Sequence, residues 1–364
     1  MSPIDHPVIP KGSTVLVTGA NGFIASNIAD QLLKFGYKVR GTTRDPRKNA
    51  WVANLFDRKY GPGNFEFVAV PDMEAEGAYD QAVKIIHTAT NYTMNPNPYE
   101  VVPGTVAGTV NALAAAAGEP SVKRFVLTSS SAAALIPKPD DPVVVTTGTW
   151  NDEVIAFAYR DPPYEPERAY PVYAASKTLA EKEAWKFVLE RKPAFVLNAV
   201  LPNINFGASL DLANQSHPST SGMVVELFRG NPEPLAGLPA RTLETNIAPL
   251  SPKMMNEDSA DQKRNLEYFV DVQDNALLHV AAAIHPGVES ERVFAFAEAV
   301  NGDRILAILR QLYPDRAFPA DFQSEKDLSD IVPRKRAEAL LQDMGKGGWT
   351  SLEESVKRNT EDIA

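Results

Sequence analysis

The chain has 364 residues, 44% hydrophobic and 23% charged, which excludes a mainly disordered protein and is long enough for two domains or one large α/β unit with an appended lobe. Its 36 Lys and Arg against 46 Asp and Glu leave a net charge of −10, a sign that repels phosphate backbones and argues against a nucleic-acid partner. It contains no cysteine, so disulfides, thiolate nucleophiles, Cys-based zinc sites and iron–sulfur clusters are excluded.

In chain order, Thr14 to Thr18 (TVLVT) predicts a buried strand. Ile24 to Phe35 predicts a helix, with Ile24, Ile28, Leu32 and Phe35 at helical spacing. Strands follow at Tyr37 to Gly41 and Phe65 to Val70. A short helix over Tyr79 to Lys84 then leads into a strand from Ile85 to Thr90. An Ala-rich helix spans Val106 to Ala117, a strand Phe125 to Ser129, a helix Tyr173 to Glu190 and a strand Phe195 to Leu201. Alternation at this spacing predicts an α/β fold, a Rossmann-type doubly wound parallel sheet wrapped by helices. The second half is less regular. A strand is expected at Tyr268 to Val272, a helix at Ala276 to Ile284, a strand at Val293 to Ala297 and a helix at Asp303 to Tyr313. The expected organisation is a nucleotide-binding domain over residues 1–202 and a smaller C-terminal substrate-binding lobe over 203–364, with some of its segments returning to the sheet. The polar, aperiodic stretch 240–266 reads as a flexible insertion. No leader pattern and no run of about 18 apolar residues is seen, so the expectation is a soluble, cytoplasmic protein without a membrane partner.

The first strand runs into Gly19-Ala-Asn-Gly22-Phe-Ile-Ala25 and then a helix. Gly19 suits the tight turn, Gly22 lets a pyrophosphate approach the backbone, and Ala25 keeps helix and strand close. The helix N-terminus offers free N–H groups to the anion. The next strand ends with Arg40 and Arg44, where an NAD-preferring site would carry Asp or Glu. A guanidinium binds a ribose 2′-phosphate that a carboxylate would repel, which predicts NADPH. Asp45 lies nearby, so a merely solvated arginine rim stays open. Asp72, after FEFVAV, is placed to meet the adenine or to be solvated in a loop.

Tyr173 and Lys177 are four residues apart and share a helix face. An ammonium nearby favours the phenolate and lowers a tyrosine pKa that is otherwise near 10. Ser130, at the end of FVLTSSSA, sits where ligands bind in parallel sheets. Ser129 and Ser131 compete for the same role. Together the three side-chain types can hold and protonate a carbonyl oxygen while a nicotinamide supplies hydride. His87 reads as a core histidine in a strand.

These segments, TGANGFIASNIADQLLKFGYKVRGTTRD, IIHTAT, VKRFVLTSSSAAALIPKP, YAASKTLAEKEAWKF, LNAVLPNINFG and FVDVQDNALLHV, resemble the extended short-chain dehydrogenase/reductase superfamily. The likeness is to fungal NADPH-dependent aldehyde and ketone reductases, relatives of methylglyoxal reductase and dihydroflavonol reductases. It runs over about residues 11–230 and from near 267 onward. The resemblance implies that Gly19, Gly22, Phe23 and Ile24 line the pyrophosphate and that Arg40 and Arg44 meet the adenosine phosphate. It puts Asp72 and Met73 beside the adenine, Thr88 and Ala89 under the nicotinamide half, and Pro202 and Asn203 next to the nicotinamide. It makes Ser130 the carbonyl-binding hydroxyl, Tyr173 the proton donor, and Lys177 the residue that lowers the tyrosine pKa and bonds the ribose. The expected activity is reduction of a small-molecule aldehyde or ketone with NADPH, with no metal; a homodimer is an open expectation. Two departures stand out, the direct run of Lys84 into Ile85 and the added residues 240–266. Two rivals share the fold: an NAD-dependent sugar-nucleotide epimerase or dehydratase, and a non-catalytic NADP-binding regulatory protein.

Overall fold

Val15, Leu16 and Val17 are all buried, as a strand covered on both faces requires, and they form β1 (Thr14–Val17) at the middle of the central sheet of this computed structural model. The structure describes residues 4–79, 85–90, 93–137, 142–236 and 267–364. The helix expected over Tyr79–Lys84, the Lys84–Ile85 link and the insertion at 240–266 lie outside the described residues, apart from Tyr79 and the backbone of Ile85.

After β1 come α1 (Phe23–Lys34), β2 (Lys38–Thr43), α2 (Ala50–Tyr60), β3 (Phe65–Ala69), β4 (Ile85–His87), α3 (Pro98–Ala117) and β5 (Arg124–Thr128). Then follow β6 (Val144–Val145), α4 (Asp152–Ala158), α5 (Ala169–Arg191) and β7 (Val196–Pro202). The remainder is β8 (Ile204–Phe206), α6 (Leu212–Gln215), α7 (Thr220–Phe228), α8 (Glu233–Ala236), β9 (Glu267–Asp271), α9 (Val272–Ile284), β10 (Arg292–Ala295), β11 (Glu298–Val300), α10 (Gly302–Leu312), β12 (Asp330–Ile331), α11 (Arg334–Asp343) and α12 (Leu352–Thr360).

The seven-stranded sheet has the order β10-β7-β5-β4-β1-β2-β3 and is parallel throughout. Order reverses beside β1, and the crevice at such a switch point is where ligands bind. Helices α1 and α9 pack together over one face, α3 and α5 over the other. A second core, built on Phe206, Leu227, Phe228, Phe269, Ile305 and Leu309, belongs to the C-terminal lobe, around the small sheet β11-β9-β8. The chain returns from that lobe through α9 to supply β10, the edge strand beside β7. No helix among the described residues is long and apolar enough to cross a membrane.

Several boundaries differ from the sequence expectation. Strand β4 stops at His87, short of the expected Thr90, because the Thr18 hydroxyl takes the backbone N–H groups of Thr88 and Ala89, 2.9 Å each. Helix α3 starts eight residues early, at Pro98, whose missing N–H costs nothing at the first helical position; the Asn97 side chain caps it by accepting from Tyr99 N. The run Val293–Ala297 splits, since Phe296 N turns back to Phe294 O and hands the chain from the large sheet to β11.

Candidate active site

Gly19 has φ +64°, a left-handed conformation that costs an L side chain strain. A Cβ there would also lie 3.5 Å from Ala89. Gly22 is the N-cap of α1, with no side-chain cap and no acidic residue in the first turn. The first N–H groups of a twelve-residue helix are thus left for an anion. A side chain at Gly22 would crowd Gly19 O at 3.3 Å. This cradle fits a pyrophosphate.

The loop facing the turn is held by one hydroxyl. Thr18 Oγ1 accepts from Thr88 N and Ala89 N, so its own proton goes to His87 Nδ1 at 3.1 Å. That assigns the His87 proton to Nε2. Burial, and secondarily the charge of Lys177, push the His87 pKa down to about 3. His87 is therefore a neutral, buried hydrogen-bond acceptor.

The end of β5 carries the serine cluster, and the structure separates its members. Ser129 Oγ donates to Glu181 Oε2 at 2.6 Å. Ser130 Oγ accepts from Ala132 N at 3.2 Å, capping the short turn Ser131–Ala133, and its proton remains available to a ligand oxygen. Asn151 holds that turn by donating from its side chain to Ala132 O. On α5, Lys177 is buried and its Nζ donates to Thr128 O at 2.8 Å. Burial lowers its pKa to about 8, and Glu181 works against that fall. Tyr173 lies one turn before Lys177, its ring 5.9 Å from that of Tyr170.

A cavity of about 350 Å³ joins these parts. Of the predicted site residues, Gly19, Gly22, Phe23, Ile24, Thr88, Ser130, Tyr173, Lys177, Pro202 and Asn203 line it. Ala89 stands behind Gly19. Arg40, Arg44, Asp72 and Met73 are not part of its wall. Arg40 faces Glu66 in register across β2 and β3 and spends its guanidinium there, at 2.6–2.7 Å. Arg44 follows β2, is exposed, and has no hydrogen bond or ion pair among the described residues. Asp45 is turned to its own backbone, accepting from Arg47 N and Lys48 N. Asp72 is exposed and accepts from Glu74 N, while Met73 leans on α3, next to Gly108.

Sequence reasoning missed several wall residues: Thr90, Tyr170, Ile204 and Asn205. It also missed Thr18, Asn111 and Gln215. Asn111 Nδ2 donates to the carbonyls of Met73, Glu74 and Ala75, fixing the loop that carries Asp72. Gln215 reaches from the C-terminal lobe to Asn21 O (3.2 Å) and Ser26 Oγ (2.9 Å) at the phosphate turn. Those partners are almost 200 positions apart in sequence, and no local pattern signals them.

The comparisons with known proteins agree with this architecture. A model of the NAD dependent epimerase/dehydratase family matches residues 15–219. The chain is 43% identical over 363 residues to aldehyde reductase 2 of Sporidiobolus salmonicolor, covering 98% of both chains. It is 37% identical to a ketoreductase of Penicillium roqueforti, again with 98% of each covered. Among solved structures it is similar to Gre2 of Candida albicans in complex with NADPH (TM-score 0.74, 24% identity, 97% of this chain and 98% of that one). It is also similar to the yeast methylglyoxal/isovaleraldehyde reductase Gre2 with NADPH (TM-score 0.71, 23% identity, 96% and 98%). On sequence and fold together, the chain belongs to the NAD dependent epimerase/dehydratase family, the extended short-chain dehydrogenase/reductases.

Proposed function

We propose that this protein reduces aldehydes or ketones to alcohols with NADPH, in the cavity between the C-terminal ends of the central strands and the C-terminal lobe. One observation carries the reading: Ser130, Tyr173 and Lys177 converge on the same cavity as the uncapped start of α1, in a chain 43% identical end to end to an aldehyde reductase. The residues fit the cofactor. Gly19, Gly22 and the first turn of α1 would hold its pyrophosphate, Arg44 its 2′-phosphate, and Lys177 its nicotinamide ribose. When bound, the cofactor supplies the hydride for the carbonyl carbon.

The protein supplies the rest. Ser130 donates a hydrogen bond to the carbonyl oxygen and fixes the orientation of the C=O bond. Tyr173 transfers its phenolic proton to the same oxygen as negative charge grows there. The Lys177 ammonium stabilises the phenolate left behind. Arg44 favours this reading over the sugar-nucleotide epimerase: it follows β2, exposed and unpaired among the described residues, and the neighbouring Asp45 carboxylate is taken up by its own turn. We place the enzyme in the cytoplasm, where a chain without cysteine loses nothing to the reducing conditions.

The test is Tyr173→Phe, assayed as carbonyl-dependent NADPH oxidation over a panel of aldehydes, diketones and β-keto esters. Loss of a phenolic general acid should cost at least about 100-fold in kcat. Turnover near that of the wild type overturns the assignment of Tyr173. Tight NADPH binding with no turnover of any carbonyl by the wild-type protein would favour the non-catalytic rival.

A further inference from the structure

Helix α5 carries a third chemistry-bearing residue on the face of Tyr173 and Lys177. Glu181 is one further turn along, about 6 Å up the axis, and its side chain has no exposure at all. A carboxylate so placed needs a function or a full set of partners. It has four donors: Ser129 Oγ at 2.6 Å, Trp185 Nε1 at 3.1 Å, and Arg292 Nε and Nη2 at 2.7 and 3.3 Å. Arg292, on β10, is locked in turn by Thr147 O and Thr149 O and lies 3.8 Å over the Trp150 ring.

The register at the end of β5 gives this cluster its meaning. Three consecutive residues face three different tasks. Thr128 O binds Lys177 Nζ, Ser129 Oγ binds Glu181, and Ser130 turns to the cavity. Glu181 and Lys177 therefore stitch the strand end to the helix on either side of one peptide unit, and the next residue is the serine. From this geometry we propose that Glu181 is a positioning residue, tying the Ser130 end of β5 to the Tyr173 face of α5 and giving the buried Lys177 ammonium a counter-charge. The inference rests on the reading of the site given above.

The other groups facing Lys177 do not substitute. His87 on β4 and His279 on α9 are both buried and held neutral, their pKa values pushed down mainly by burial. Arg292 faces Glu181 and offsets part of its charge. Glu181 opposes the fall that burial imposes on the Lys177 pKa.

The test uses the NADPH dissociation constant from fluorescence titration between pH 6 and 9, with kcat and KM measured alongside. Glu181→Gln keeps the shape and removes the charge. Its NADPH affinity should match wild type at pH 6 and be weaker by about fivefold at pH 8 and close to tenfold at pH 9, as the alkaline loss of affinity moves down by about one pH unit. A ratio that stays constant with pH marks a merely structural role and overturns the counter-charge. Ser129→Ala breaks the tie but keeps both charges and is small enough to fold. It should lower kcat/KM for the carbonyl about tenfold with NADPH affinity unchanged at every pH. Unchanged kcat/KM overturns the tie, and so decides the proposal even where Glu181→Gln fails to fold. A wild-type protein that binds NADPH but turns over no carbonyl would sink the proposed activity, while the titration ratio would still decide the role of Glu181.

Discussion

Thr18→Val is the sharpest probe of how the cofactor loop is held. The substitution is nearly isosteric, so it removes a hydroxyl without opening a cavity. That hydroxyl accepts two backbone N–H groups at 2.9 Å and donates to His87 Nδ1. Each buried N–H left without a partner costs about 1–3 kcal/mol. Thr88 and Ala89 are only partly buried and can turn toward water in the cavity, which places the total for these two N–H groups and the orphaned His87 acceptor near the low end, about 3 kcal/mol. Unfolding entropy of about 2.1 cal/mol/K per residue converts that into a Tm drop of about 4 °C for this chain. The functional effect is separate. Ala89 backs onto Gly19, so a loosened loop should weaken NADPH binding by about tenfold. Scanning calorimetry and NADPH fluorescence titration measure both. Thr18→Ser keeps the hydroxyl and should bind NADPH as the wild type does. A Val variant with unchanged Tm and unchanged NADPH affinity would show that the three hydrogen bonds do not hold the loop.

Cofactor choice and acid stability give two more expectations. Arg44→Gln should raise KM for NADPH about 10–100-fold, the worth of charge-assisted bonds to a phosphate, and leave KM for NADH unchanged; Arg40→Gln, which breaks only an exposed pair with Glu66, should do neither. Equal effects of the two substitutions would contradict the division of roles read from the structure. His87 and His279 have pKa values lowered from 6.5 to about 3 and about 4. Their contribution to stability is complete above pH 6.5 and is lost as pH falls toward those values, because the unfolded chain binds the protons first. Glu267, raised by burial to about 8, works oppositely: its contribution is complete below pH 4.5 and lost as pH rises through 8. Between pH 6.5 and 4.5 the two histidines outweigh it, so Tm should fall with acidification, and His279→Leu should flatten the fall. A wild-type Tm independent of pH over that range would refute this.

Much of the site was legible because its signals are local. The β1–α1 turn needs glycine at Gly19 and Gly22 for reasons of backbone geometry that neighbours in sequence already determine. Tyr173 and Lys177 share a helix face by spacing alone. What stayed hidden depended on partners far along the chain. Arg40 and Arg44 look alike until the register of β2 against β3 puts Glu66 beside Arg40. Ser129, Ser130 and Ser131 look equivalent in the sequence until Glu181 claims the first. The end of β4 was misplaced because a threonine 70 residues earlier captures its backbone. The helices α2, α11 and α12 escaped notice because each buries only two or three apolar residues, such as Ala337, Leu340 and Leu341 on α11.

Strand β10 enters the sheet beside β7 although 89 residues separate Pro202 from Arg292. Between them the chain leaves one sheet edge and comes home to the same edge. Its two ends are fixed by hydrogen bonds in neighbouring strands, whatever happens along the way. A chimera that swaps β8 through β9 from a relative of different substrate range, keeping α9 and β10 intact, should change which carbonyls are accepted while NADPH affinity stays as it is. Simple truncation after β7 would instead strip a buried strand and the α9 side of the core, and leave an exposed edge prone to aggregate.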